Sequence, residues 1–342
     1  MMQRLDWAWA FITYTTKKRM MRSLLVLTLG ALVSGCGIDR GGAPDGDVPP
    51  IVVSTVTDTL IAGPISATMN GELDIAGTRI EIGNTLIAVD DAPAALDQLQ
   101  AGQYAVVRAN TATGANPRAT SVNIFAQVTG MPSDYDAVTN ALTILGQQVV
   151  VSAQTMLDPA LANIAPADLV ATGPLSVAGV DDGLGTIQAT YIAPANGAAT
   201  RLTGFASMVD DINMSFEIGG QRISYASALL INLPTTAPED NTRVSVTGSL
   251  QGVDFQVDTL IEAPLLPANL SVGATVRLTA TITEVLTGST FSAGFVSANL
   301  STNAVFIDGV AADIVPGTIV TLGGQWTNAQ RINVTSVRFA SP

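Results

Sequence analysis

The sequence predicts an all-β fold: about four tandem, small OB-like β-barrels, the last one divergent, behind an N-terminal leader and a flexible linker. Three observations predict it. The first is composition. Apolar residues make up 47% of the 342-residue chain and charged residues only 13%, so a sizeable core can be buried. Ala, Val, Thr, Gly and Ile dominate over runs of Leu, Glu and Lys, a balance that favours strands. The second is a recurring hairpin, clearest in residues 141–152 (ALTILGQQVVVS). Around Gly146, the apolar residues Leu142, Ile144, Val149 and Val151 fall at minus four, minus two, plus three and plus five. The same offsets surround Gly77 (Leu73, Ile75, Ile80, Ile82) and Gly220 (Phe216, Ile218, Ile223, Tyr225), and more loosely Gly309 (Val305, Ile307, Ala312, Ile314). Alternation with period two marks half-buried strands, and a Gly between two such runs marks a turn.

The third observation is the unit length. The first three Gly positions are 69 and 74 residues apart. Each unit re-enters after a loop with a small or polar residue followed by apolar positions: Gly102 with Ala105 and Val107, Ala167 with Val170, Asn241 with Val244 and Val246. A closing strand follows, at 121–124, 186–192 and 255–261. Five or so short strands per unit fit a small closed barrel, and closure removes exposed sheet edges. A β-sandwich or a continuous β-solenoid is the main alternative. The units are longer than a typical solenoid rung, which favours discrete barrels.

In order along the chain, residues 1–35 read as a signal peptide of lipoprotein type. Lys17, Lys18, Arg19 and Arg22 form a basic flank, residues 23–33 a short apolar run, and Val33-Ser34-Gly35-Cys36 a sequence that resembles a bacterial lipobox. An apolar run this short falls below the about 20 residues of a spanning helix and reads as a secretory signal. Cys36, the only Cys, is the expected lipidation site. Gly37 rather than Asp after it favours the outer membrane, facing periplasm or surface. Residues 36–52, rich in Gly, Pro and Asp, read as a tether. The repeats are expected at 53–127, 128–194 and 200–264, with a divergent, compressed fourth at 265–342 in which Gly317, Val320 and Leu322 follow directly on Gly309.

The phrases LTILGQQVVV, LDQLQAGQYAVVR, GTIQATYI, RLTGFASMVDD and FEIGGQRISYASA resemble the bacterial repeat domain of unknown function numbered 5666. That resemblance implies tandem OB-like barrels in exported proteins and lipoproteins. It implies no reaction and no catalytic residues.

Chemistry is constrained by what is missing. There is no His, the only Cys is assigned to lipid, and no Lys follows residue 35. Ser-His-Asp and Cys-His sites, His/Cys zinc sites, Schiff bases and the P-loop Lys therefore cannot be built. After residue 35, 10 basic residues face 27 acidic ones, a formal −17, and nucleic-acid binding needs the opposite sign. No cofactor is expected. Acidic pairs recur in expected turns, where Asp bonds to local backbone; Asp181, Asp182, Asp210 and Asp211 are the residues to examine for Ca²⁺. The nine Arg residues of the folded body, among them Arg201, Arg243, Arg277 and Arg338, are expected to face outward and balance nearby acids. Trp326 is the only Trp after residue 35, and fills core or offers a stacking face for a sugar. The expected class is a non-enzymatic, lipid-anchored envelope protein that binds a protein or a glycan. A structural spacer is the alternative, and a carboxylate- or metal-dependent enzyme acting on glycans comes behind both.

Overall fold

The computed structural model describes residues 56–233, 237–267 and 269–340, within a compact unit spanning Val53–Pro342. Cys36, the leader and the tether lie outside the described residues. The chain is all-β, with 57% strand and 4% helix, but its strands form a β-solenoid of about seven turns and not a row of OB-like barrels. The unit-length argument fails for a simple reason. About seven turns over four sequence repeats is a little under two turns per repeat, so a repeat is not a rung and its length says nothing against winding.

The sheets also cross the repeat boundaries. One sheet of 12 strands joins the first and last repeats, and one of 14 strands joins the second and third. The first strand, Val56–Met69, lies parallel to Thr275–Val285 of the last repeat, with Thr59 opposite Thr275. The short strand Val128–Gly130 is shared, pairing with Leu175–Asp181 on one side and Arg201–Phe205 on the other. Parallel pairs also join each hairpin to the closing strand of its own repeat, for example Gln147–Val150 to Thr186–Pro194.

The hairpins form where the Gly offsets place them. Ala76-Gly77, Leu145-Gly146 and Gly219-Gly220 each have both residues at positive φ, and each links two four-residue strands. That is the two-residue turn whose twist matches the flanking strands, and it explains the Gly. The twelve apolar residues at the four offsets in these three repeats are all buried.

The fourth repeat is anchored differently. Its hairpin joins Thr290–Ala293 to Val296–Ile307 through Gly294-Phe295, at φ 54° and 58°. Counted from Phe295, the offsets are Phe291, Ala293, Ala298 and Leu300. The pattern is intact, but Phe stands where the other repeats have Gly. Gly309 makes no such turn, and the last repeat is full length, from Thr275 to Phe339. The second repeat needs a similar correction. Residues 166–171 form a 3-10 helix, and the chain re-enters the sheet at Leu175. Its anchor is Gly173 at φ 97°, equivalent to Gly102, Asn241 and Gly317 at φ 89°, 67° and 89°.

One device recurs in all four repeats. Where the re-entry strand pairs with the closing strand, the closing strand carries one extra residue: Thr120, Thr190, Asp258 or Thr335. Such bulges bend and coil a strand. The hydroxyls of Thr120, Thr190 and Thr335 each donate to a carbonyl across the bulge, of Arg108, Ala178 and Gly323 respectively, each at 3.2 Å. Asp258 has no such hydroxyl to offer.

Three apolar clusters fill the interior. The largest runs through the last repeat and takes in Leu60 and Tyr104 of the first, Val180 and Tyr191 of the second and Phe205 of the third.

Candidate functional site

Where that largest cluster reaches the surface, the structure opens a cleft of about 600 Å³, within the size range of small-ligand sites. One wall is the last repeat, with Phe295 on its hairpin turn and Trp326 at the end of the strand Ile319–Trp326. Opposite lie Pro264, Leu265 and Leu266 of the connection between the third and fourth repeats, with Arg243 and Glu262 behind them. Asn241, Asn328 and Gln330 add amide groups at the rim.

Phe295 is the unexpected member. A bulky side chain at φ 58° sits in the left-handed region, which costs an L-residue about 1–2 kcal/mol relative to Gly. Strained positions of this kind cluster at functional sites. Its ring lies against Phe205, with centroids 4.5 Å apart and planes tilted by 51°. It also packs on Gly183, where a Cβ would strike the ring. Still, 36% of Phe295 stays exposed. Trp326 is half-buried, packed against the same cluster. Sequence reasoning finds Trp326 and notes Phe295 near it, but reads Phe295 as an alternating strand position, whereas it lies in the turn; the signal was available, as an aromatic residue where three other repeats place Gly.

Beneath the cleft lies a polar cluster that joins the repeats. Arg243 is only 5% exposed. Its Nη2 donates to Gln127 Oε1 (2.9 Å) and its Nη1 to Ala263 O (2.8 Å). Its Nε is buried with no partner. Gln127 in turn donates to Gly179 O (3.2 Å), and the Tyr104 hydroxyl donates to Thr279 O (2.8 Å). Asp181 keeps a little accessible surface but is closely packed around, and this desolvation pushes its carboxyl above the usual range while the Arg243 cation opposes the shift. Burial likewise lowers Arg243 and raises Tyr104. Arg201, 9% exposed, makes a second buried anchor: its Nη1 pairs with Asp91 (3.0 Å) and donates to Ser245 Oγ (3.0 Å). The outward-facing expectation therefore fails for Arg201 and Arg243. It holds for Arg79 and Arg118, which are exposed beside Glu72 and Glu81 at 3.4 and 3.5 Å.

The four acidic candidates serve turns. Asp181 Oδ1 accepts from Gly183 N (3.2 Å), and Asp182 Oδ1 accepts from Leu184 N (2.8 Å) and Thr186 N (2.9 Å). Asp210 accepts from Ile212 N and Asn213 N, both at 3.0 Å, and from Asn213 Nδ2 at 2.6 Å. These bonds, the Asn213 side chain first, hold Asp210 below its ordinary pKa. Asp211 lies next to Tyr225 and raises its pKa, after burial of the phenol. Among the described residues, no three acidic, His or Cys side chains come together as a metal site would require.

A larger groove of about 830 Å³ runs beside Asp58, Arg108 and Ser271. Its polar groups satisfy one another, Arg108 with Asp58 (3.5 Å) and Asn269 (3.1 Å), Ser271 with Asp58 (3.3 Å). It has no aromatic face. The Trp326 cleft is the better candidate. No described helix is long and apolar enough to cross a membrane.

Fold and cleft together define a class: an acidic, all-β repeat protein with one aromatic-walled cleft. Comparison with protein families found no matching model, and comparison with curated proteins found no match.

Proposed function

We propose that this protein is a non-enzymatic binding module of the bacterial cell envelope, lipid-anchored through Cys36 at the outer membrane, and that its cleft receives a glycan segment. The observation that carries the reading is the pairing of two partly exposed aromatic rings, Trp326 and Phe295, with amides at the same mouth. Sugar rings present an apolar face bordered by hydroxyls. An aromatic ring covers the first, and Asn241, Asn328, Gln330 and Glu262 offer donors and acceptors for the second. The lining mixes apolar side chains with polar ones at the same mouth, as a ligand with both an apolar face and hydroxyls requires. The absence of His and of Lys after residue 35 supports binding without chemistry.

The test is a glycan array probed with the full chain, followed by tryptophan fluorescence titration of each hit. Trp326→Phe isolates the Trp326 signal from Trp7 and Trp9. Trp326→Ala, followed by calorimetric titration because it lacks the reporting indole, is expected to weaken binding by about 1–3 kcal/mol, about 5- to 150-fold, by analogy with aromatic stacking on flat rings. An array with no hit, alongside a co-purifying envelope protein that Trp326→Ala releases, would make the cleft a protein-docking site. No hit and no partner would return the molecule to the spacer reading. Anchoring is checked separately. Cys36→Ser is expected to move the protein from the membrane fraction to the soluble fraction, and retention on membranes would overturn the lipid assignment.

A further inference from the structure

Among the few basic side chains of the described residues, two stand apart. Arg79, Arg108, Arg118 and Arg201 each have a carboxylate within ion-pair distance. Arg222, Arg243, Arg277, Arg331 and Arg338 have none among the described residues, and of these Arg277 and Arg338 lie side by side. Arg277 is on the strand Thr275–Val285, opposite Gly323 of Ile319–Trp326, which is opposite Ser336 of Ile332–Phe339. Arg338 is opposite Thr321, two residues along and so on the same face. Gly323 has no side chain to separate its neighbours: a Cβ there would lie 2.5 Å from Ser336 Oγ and 4.0 Å from Arg277 Nη2. The first repeat closes the other side. Its hairpin turn gives Ala76 O to Arg277 Nη1 at 2.8 Å, which fixes that guanidinium.

Above Gly77 the geometry is open and specific. A Cβ on Gly77 would meet only two atoms within 4 Å, Arg338 Nη1 at 3.5 Å and Arg277 Nη1 at 3.8 Å. Both guanidinium groups therefore border one point, and both also line a pocket of about 50 Å³ with Ser336 and Thr321 on its wall. That exceeds the about 10–15 Å³ a single water requires. Burial first, then the Arg338 charge, pushes the Arg277 pKa down, and Asp74, the opposing acid, stays beyond ion-pair distance. Among the described residues, Asp74 is the one carboxylate acting on Arg277, and its buried Oδ1 has no hydrogen-bond partner, so it does not close the pair of cations off.

We propose that Arg277, Arg338 and Ser336 form a binding site for a phosphoryl group, at the junction of the first and last repeats. A carboxylate has two oxygens and is satisfied by one guanidinium fork. Two guanidinium groups from different strands plus a hydroxyl ask for three or more acceptor oxygens around one centre, which a tetrahedral oxyanion presents. The site is separate from the Trp326 cleft in its residues, so its fate does not depend on the glycan reading.

The experiment is ³¹P line-width titration of the full chain with inorganic phosphate, at ionic strength held constant with chloride, with melting followed in parallel. Saturable broadening and a rise in melting temperature over the chloride control are expected. Arg338→Gln, at an exposed side chain that leaves the fold intact by circular dichroism, should weaken phosphate at least about tenfold, since a charge-assisted bond is lost. Ser336→Ala should weaken it less, and Trp326→Ala not at all. Glucose 1-phosphate as a second probe separates the sources. Tighter binding than inorganic phosphate, still dependent on Arg338, assigns a phosphorylated sugar; equal binding assigns the free ion. No saturable response to either probe, or a response unchanged by Arg338→Gln, overturns the site.

Discussion

Arg243→Leu is expected to destabilise the protein by about 3–5 kcal/mol at neutral pH, the cost of breaking a buried charge network by removing one partner. The Arg243 guanidinium donates to Gln127 and Ala263 and faces Asp181, at the point where the largest core cluster gathers residues of all four repeats. Leu would restore part of the packing but none of the charge. Asp181 would then be left desolvated beside Asp182, with only backbone N–H groups, Gly183 among them, opposing the upward pressure on its pKa. The pH dependence follows from that sign. A carboxyl whose pKa is higher folded than unfolded holds its proton more tightly when folded. Its contribution is therefore present below the unfolded value of about 4 and is lost as pH rises through the folded value. Removing Arg243 raises the folded value further and enlarges the loss. Urea midpoints of wild type and Arg243→Leu, at similar slopes, should differ most at neutral pH. Below about pH 4 the difference should shrink towards the about 1–3 kcal/mol of an unmet buried hydrogen bond at Gln127. The same loss at both pH values would mean that Asp181 and Arg243 do not interact. Arg222→Leu, at an exposed position, is the control and should stay within about 0.5 kcal/mol.

The other two core clusters show where the sequence is readable, and the strand pairing shows where it is not. Leu73, Ile75, Ile80 and their counterparts around Gly146 and Gly220 could be placed inside because hairpin geometry is local: turn twist and side-chain alternation act over ten residues. Winding is not local. Nothing in the spacing of Thr59 or Thr275 says that they pair across more than two hundred residues, and a repeat of about 70 residues fits one closed unit or two turns equally well. Charge placement is hidden for the same reason. Arg243 and Arg222 sit in similar apolar surroundings in sequence, yet one is buried and the other exposed. Phe295 is the instructive miss. Matching on Gly favoured Gly309, when matching on the offsets alone would have put Phe295 at the turn. The repeat that breaks the local rule is the one that carries the aromatic cleft, as expected where a strained residue is kept for function.

Gly248→Ala is expected to cost about 1–3 kcal/mol, the usual range for forcing atoms into a filled space. Gly248 sits at the bulge of the third repeat, where a Cβ would run into the carbonyl oxygen of Gln256, with Val257 Cα at 3.0 Å. Gly179 and Gly324 hold the equivalent places in the second and fourth repeats, facing the carbonyls of Gln188 and Asn333 in the same way. The first repeat has Ala109 there, so a bulge of this type can be built around a methyl group. What differs is the clamp. Thr120 ties the first bulge through its hydroxyl to Arg108 O, whereas the third has Asp258 in that position and no such bond. Ala109→Gly should therefore cost only the about 0.5–1 kcal/mol of added chain freedom. In the Gly248→Ala background, Asp258→Thr should recover about 0.5–1.5 kcal/mol, the net worth of one hydrogen bond. Urea midpoints of wild type and the three variants decide it. An unchanged midpoint for Gly248→Ala would mean that the strand moves aside freely, and that Gly at three of the four bulges is not a steric requirement. A loss recovered by the Thr would mean that the hydroxyl clamp steadies the bulge independently of the glycine, in keeping with the second and fourth repeats, which carry both, and holds the extra residue of a bent strand in place so that the next turn can stack on it.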